Sequence, residues 1–277
     1  MIRSLLILMT LLLLSCSSKK KTERELYEET ISGFKYKTYK ATSDAAVGPM
    51  VSTYNEQKPD SIAPLNSEFA HLILGYMWTL SHKPAMAFAE ADLAQESNED
   101  DVKLLAQSLR SIVMYEQGWD TLAHEESEAA KKYAHQKPGL EVGYELSFFY
   151  MMMGLANIYD KDFNQSKFYW AGFANETAIH WPYQLTDAID DLQNHRLQQG
   201  LGKLKVLSQD PHVPEALRLA LDEQLSKIEQ QGGDVTSSLF WPKLISTVVF
   251  DQLKKTGNQQ LISIIEMLEK VKDNLPV

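Results

Sequence analysis

Side chains that could bind a metal ion or act as an acid or base occur in two short clusters of this chain. The first cluster runs from His124 to Glu128, and the second contains Asp187, Asp190 and Asp191. Imidazole nitrogens and carboxylate oxygens are common metal ligands, but a site needs them to converge on one point. Both clusters also have the spacing of a solvated, charged helix face, which is the more common structure. We therefore predict no metal site and no cofactor.

The motifs of the common enzyme classes are missing from the sequence. There is no His-Glu-x-x-His, no Gly-x-Ser-x-Gly, no phosphate-binding glycine loop and no pair of cysteines. The histidines are scattered, and none stands three or four residues from another. We therefore predict that the protein is not an enzyme and assign no catalytic residues.

The single cysteine, Cys16, follows a segment with the features of an export signal. Arg3 supplies a positive charge, and residues 5–14 are apolar except for Thr10. This run of about ten residues is too short to cross a bilayer, which needs roughly twenty. A positive start, an apolar middle and a small residue before a break are typical of a secretory signal. The sequence Leu13-Leu14-Ser15-Cys16 resembles the lipobox of bacterial lipoproteins.

This resemblance implies a processed, lipidated N-terminus. In that family the cysteine thiol receives diacylglycerol, the signal is cut before the cysteine, and the new amine is acylated. Residues 1–15 would be the signal peptide, and Cys16 would bind the membrane through two or three acyl chains, which anchor stably. Ser17, where an Asp favours inner-membrane retention in enteric-type lipoproteins, implies the outer membrane facing the periplasm. The alternative is an ordinary secretory signal with an incidental cysteine.

Charge and cysteine content limit the partners and the fold. The formal net charge of the chain is -10, so the protein is acidic. Proteins that bind nucleic acid do so through cationic surfaces. We therefore expect no nucleic acid partner. One cysteine cannot form an internal disulfide, so the fold must depend on core packing.

Apolar spacing predicts helices over nearly all of the chain after residue 65. Phe69, Leu72 and Tyr76, for example, recur at helical spacing behind Asn66, a residue type that caps helices. Strand patterns are nearly absent, so the predicted fold class is all-α.

Residues 16–65 lack this sustained periodicity. Glycine, proline, serine and threonine are scattered through residues 33–65, and Phe34 to Tyr39 alternates aromatic and polar side chains as a strand does. We predict a lipidated tether and lead-in over 16–65, with a short helix over 23–32 followed by an extended segment or loop.

Small residues in the first predicted helix pair resemble those of the tetratricopeptide repeat (TPR), a 34-residue helix–turn–helix unit. Gly75 stands at its Leu-Gly position, Ala87 at its crossing alanine and Ala94 at its next small position. In two less similar units, the positions of Gly75 and Ala87 are taken by Ser111 and Ala123, and by Gly154 and Ser166. The resemblance implies a TPR-like α-solenoid of degenerate repeats over 66–180. Helical hairpins over 181–277 would continue or cap it.

The middle third of the chain is rich in aromatic side chains, and helical-repeat arrays usually bind partners on a concave face. The candidate residues for a binding surface there are Tyr150, Asn157, Tyr159, Tyr169 and Trp170. The resulting hypothesis is a membrane-anchored lipoprotein that acts as a protein- or peptide-binding scaffold or adaptor in the bacterial cell envelope. The alternative is a small-molecule or ion-binding accessory lipoprotein of a transport system, in which the aromatic residues line an enclosed pocket.

Overall fold

Helices make up almost all of the computed structural model, which describes residues 21–136, 146–231, 240–256 and 259–276. These ranges contain thirteen helices and no strand, so the predicted all-α fold class is confirmed. Cys16 and the rest of the lipobox lie outside the described residues. The helices are α1 (Glu23–Ser32), α2 (Tyr36–Gln57), α3 (Ser67–Leu80), α4 (Pro84–Gln95), α5 (Asp100–Glu116), α6 (Asp120–Gln136), α7 (Leu146–Tyr159), α8 (Phe163–Thr177), α9 (Trp181–Gln193), α10 (Leu197–Gln209), α11 (Glu215–Gln231), α12 (Phe240–Thr256) and α13 (Gln259–Asn274).

Consecutive helices pack as hairpins, and the hairpins stack into one solenoid-like array. The four central hairpins are α3–α4, α5–α6, α7–α8 and α9–α10. Contacts of α4 with α5, of α5 with α7 and of α8 with α9 join each hairpin to the next, and α11 continues the array from α10. Helices α4, α5, α7, α8 and α9 therefore each pack against both their hairpin partner and a neighbouring hairpin.

Each central hairpin crosses at two small residues that are twelve positions apart. In α5–α6, Ser111 Oγ donates a hydrogen bond to the carbonyl oxygen of Ala123 at 3.1 Å, and in α7–α8, Ser166 Oγ donates to that of Gly154 at 2.8 Å. In the other two hairpins, a Cβ added to the glycine would lie 3.0 to 3.4 Å from a carbonyl oxygen of the partner helix. The crossing pairs are Gly75 and Ala87, Ser111 and Ala123, Gly154 and Ser166, and Ala188 and Gly200.

Residues 21–65 are largely helical, so the predicted extended segment or loop is wrong over α2. The buried side of α2 carries a stripe at helical spacing, formed by Tyr39, Ser43, Val47, Met50, Val51 and Tyr54. Burial of this long stripe favours a helix more than the short aromatic–polar alternation of residues 34–39 favours a strand. Gly48 and Pro49 interrupt the sequence pattern, but the helix accommodates them: Gly48 has no Cβ to oppose the following proline ring. The predicted helix over 23–32 is confirmed as α1.

The C-terminal hairpin, α12–α13, does not extend the array. It folds back onto earlier helices, so that α12 packs on α7 while α13 packs on α2 and α3. Residues distant in sequence thereby form one core, with Ile245, Val249 and Leu253 fully buried in it.

Candidate partner-binding surface

The five residues predicted to line a binding surface do not share an accessible surface. Trp170 is 0% exposed, and its indole ring packs on Gly154 of α7. Asn157 is buried and donates through Nδ2 to the carbonyl oxygen of Met153 in its own helix. Tyr159 is buried and donates to the carboxylate of Glu116, and this burial raises the pKa of Tyr159 well above its usual value.

The other two predicted residues, Tyr150 and Tyr169, are half-buried. The ring of Phe149 makes edge contacts with both of them, at centroid distances of 5.8 and 6.2 Å. Tyr150 also packs against the backbone at Gly172 of α8. Trp170, Tyr150 and Tyr169 therefore belong to the packing between α7 and α8, and Tyr159 to the packing of α7 on α5.

The first helices of the central hairpins, α3, α5, α7 and α9, form the surface on which α12 lies, which we call the inner face. Polar contacts reach α12 from three of these helices. Tyr76 OH of α3 lies 2.7 Å from Ser246 Oγ, and Lys243 Nζ lies 2.9 Å from the carboxylate of Glu116 at the end of α5. At the far end of the inner face, Trp181 of α9 donates from Nε1 to Gln252 Oε1 at 2.6 Å.

Contacts of aromatic rings also hold the C-terminal hairpin against α3. Phe250 of α12 meets the ring of Tyr76 at a centroid distance of 5.2 Å. The ammonium of Lys272 on α13 lies 4.7 Å from the centre of the Trp78 ring, within the range of a cation–π interaction. Tyr76 is fully buried as a result, and this desolvation raises the pKa of its hydroxyl. A partner cannot reach the inner face while the C-terminal hairpin is in this position.

Exposed apolar side chains concentrate elsewhere, on α8 to α11. Five of the six large apolar side chains that are exposed within the described residues lie between residues 168 and 219, with exposed fractions of 40 to 69%. They are Phe168, Tyr183, Leu197, Val206 and Leu219. We use the name α8–α11 surface for the exposed sides of helices α8, α9, α10 and α11, which carry these five residues.

An open groove of about 510 Å³ runs between α9 and α10 on this surface. Tyr183 and Val206 line it together with the amides of Gln184, Gln198 and Gln199. Apolar contact area surrounded by hydrogen-bonding groups is the usual composition of a transient protein interface.

The acidic cluster of α9 stands at the edge of the groove and is neutralised within the chain. Lys203 lies 2.6 Å from the carboxylate of Asp191 and also pairs with Asp187. Hydrogen bonds from Lys203 and Arg196 lower the pKa of Asp191 below its usual value. Lys167 of α8 reaches Asp190 at 2.9 Å and Asp187 at 3.4 Å. These ion pairs link α8, α9 and α10.

The sequence itself indicates this surface, because some apolar residues of its helices lie off the buried stripe. In α11, Leu217 and Leu221 are 0% exposed, while Leu219 between them is 63% exposed. In a helix, a residue two positions from both members of a buried pair points to the opposite side. Apolar residues off the buried stripe, such as Leu219 and Val206, therefore mark the surface.

Comparison with known proteins adds no relative to this picture. No protein-family model, curated protein or solved structure matches the chain. Within the described ranges, no helix combines the length and the apolarity needed to cross a bilayer.

Proposed function

We propose that this protein is a lipid-anchored scaffold without catalytic activity that binds a partner protein of the bacterial cell envelope through the α8–α11 surface. The observation that carries the proposal is that five of the six exposed large apolar side chains of the described residues lie on these four helices, two of them in one groove, while α12 covers the inner face. Exposed apolar residues rimmed by polar groups mark interaction sites on folded proteins, because leaving them in water is unfavourable.

The anchor would hold this body close to the bilayer. The lipobox resemblance supports lipidation of Cys16, and α1 begins at Glu23 after a capping box between Thr22 and Glu25. A fully extended chain covers at most about 3.5 Å per residue, so the six residues from Cys16 to Thr22 can span no more than roughly 20 Å. Helix α1 packs on α4 and α6, so a lipidated Cys16 would tether the folded array directly to the outer membrane, on its periplasmic side.

The alternative of a small-molecule accessory protein has less support. It requires the aromatic residues of the middle third to line an enclosed pocket, whereas Trp170 and Tyr159 are buried in helix packing. The open α9–α10 groove suits a protein surface better than an enclosed small ligand, because ligand sites usually bury most of their ligand.

Substitutions on the α8–α11 surface test the proposed partner binding. We expect Val206→Asp and Leu219→Asp each to reduce recovery of a co-purifying envelope protein about tenfold, since a desolvated apolar contact contributes more than about 1 kcal/mol at an interface. Leu146→Asp is the matched control, because Leu146 is an exposed large apolar residue that lies outside this surface. Equal recovery with all three variants would contradict the proposed surface.

Metabolic palmitate labelling tests the proposed anchor separately. We expect the wild-type chain to take up label and sediment with membranes, and the Cys16→Ala variant to do neither. Membrane association that persists in Cys16→Ala would contradict lipid anchoring and leave the partner surface to be judged by the preceding experiment.

A further inference from the structure

Three side chains with metal-ligating atoms converge between α6 and the turn that joins α7 to α8. His124 and Glu128 lie four residues apart and therefore project from the same side of α6. Asp160 follows α7 directly. One potential ligand atom from each of these three residues lies within 4.8 Å of the others.

The carboxylate of Asp160 is held firmly at the centre of this cluster. Its side chain is 3% exposed, and Tyr115 OH donates to its Oδ1 at 2.6 Å. His124 Nδ1 lies 2.8 Å from the same oxygen. Hydrogen bonds of this kind orient a ligating carboxylate and are typical of the groups that surround metal ligands. His124 and Glu128 are more than half exposed, so the cluster is open to solvent on one side.

A cation of the chain itself already occupies the position between the carboxylates. Lys131 Nζ lies 2.5 Å from Asp160, 3.1 Å from Glu128 and 3.7 Å from Asp162. One ammonium group therefore faces three carboxylates, so negative charge remains in excess. The side chain of Lys131 is 30% exposed, and its four-carbon chain is long and flexible. The ammonium group can therefore turn into solvent when a divalent cation binds to the carboxylates.

We propose that His124, Glu128 and Asp160 form a binding site for one divalent transition-metal ion, with Zn²⁺ the best fit, and that the ion displaces the ammonium of Lys131. One imidazole nitrogen and two carboxylate oxygens suit Zn²⁺, which commonly takes three protein ligands and a water molecule. The bound ion would connect two consecutive hairpins, since α6 belongs to one and the Asp160 turn to the next. It would therefore stabilise the array by mass action.

Zinc titration of the purified chain without an affinity tag tests this site. We expect calorimetry to detect one saturable equivalent of Zn²⁺, and the melting temperature to rise with zinc concentration. The His124→Ala variant should lose both effects. His135→Ala should keep both, because His135 is an exposed histidine on the same helix that lies outside the cluster. Absence of saturable binding, or equal binding by His124→Ala, would overturn the proposal.

A second variant tests whether the ion takes the place of Lys131. We expect Lys131→Met to bind Zn²⁺ about tenfold more tightly than wild type, because the competing charge is gone while the three ligands remain; a tenfold change corresponds to about 1.4 kcal/mol. Circular dichroism without metal checks that the variant is folded. An unchanged or weaker affinity in the folded variant would overturn the displacement of Lys131 by the metal.

Discussion

At the scale of single residues, a buried carboxylate fixes α2 to the array. Glu90 of α4 is 0% exposed and makes three hydrogen-bond contacts of 2.6 Å. Tyr39 and Ser43 of α2 donate to one oxygen, and His71 Nδ1 of α3 contacts the other. A buried charge is tolerated only when such partners satisfy it, so this contact also makes the packing of α2 specific.

Glu90 offers a direct test of this buried network. We expect Glu90→Ala to lower the free energy of unfolding by about 3 to 5 kcal/mol, because it leaves the three donors without a partner and creates a cavity. Glu90→Gln should cost less, since its amide oxygen can still accept from Tyr39 and Ser43. Urea unfolding measures both values. Equal losses in the two variants would contradict this expectation, because they would mean that neither the retained side-chain volume nor the two retained hydrogen bonds stabilise the fold.

One residue of the candidate metal site could not be predicted from the sequence. The cluster from His124 to Glu128 was visible as a charged helix face, and this favoured the interpretation of a solvated surface. Asp160, which completes the cluster, belongs to the next hairpin and is separated from His124 by 36 positions. Local spacing contains no information about this contact, because it arises from the stacking of hairpins.

At the scale of helices, small residues determine how closely the two helices of a hairpin approach. A Cβ on Gly154 would lie 2.7 Å from the indole ring of Trp170, which is fully buried and has no space to move. Gly202 of α10 is the opposite case, since a Cβ there would have no neighbour within 4 Å. The two glycines therefore differ in their packing, although both are within helices.

These two glycines form a matched pair for a stability measurement. We expect Gly154→Ala to destabilise the protein by about 1 to 3 kcal/mol, because the new methyl group overpacks the hairpin crossing. Gly202→Ala should stabilise it by up to about 1 kcal/mol, since alanine has the higher helix propensity and meets no obstacle. Thermal and urea unfolding report both changes. A stabilising effect of Gly154→Ala would contradict the tight crossing.

Predictability from sequence also differs between helices. Sustained apolar periodicity predicted the helices after residue 65, and the small residues of three hairpin crossings stood at positions named from the TPR resemblance. The fourth crossing, between Ala188 and Gly200, has the same spacing but was not recognised. Helix α2 was missed because Gly48 and Pro49 interrupt its stripe and because its buried side includes the polar Ser43.

At the scale of the whole molecule, the C-terminal hairpin closes the inner face that an open helical-repeat array would offer to a partner. Sequence analysis could not predict this closure, because amphipathic C-terminal helices fit a terminal cap as well as a helix packed across the array. The contacts of α12 with Tyr76, Glu116 and Trp181 join distant hairpins into one core. The consequence is that the accessible apolar residues lie mainly on the α8–α11 surface.

A pair of substitutions on α12 tests whether this helix belongs to the core. Ile245 is 0% exposed, whereas Thr247 is an exposed residue of the same helix. We expect Ile245→Asp to cost more than about 4 kcal/mol of unfolding free energy, since it places an unpaired carboxylate in the core. Thr247→Asp should change stability by less than about 0.5 kcal/mol. A small effect of Ile245→Asp would mean that α12 is not packed on the inner face in solution.

The most direct test of the central claim is site-specific photo-crosslinking in cells that produce the full-length chain. A photoreactive amino acid would replace Tyr183, Val206 or Leu219 on the α8–α11 surface, and Leu146 or Asp44 as exposed control positions. We predict that one and the same envelope protein is crosslinked from all three surface positions, in the membrane fraction, and from neither control position. Crosslinking to that protein from the control positions, or from none of the three surface positions, would contradict the account.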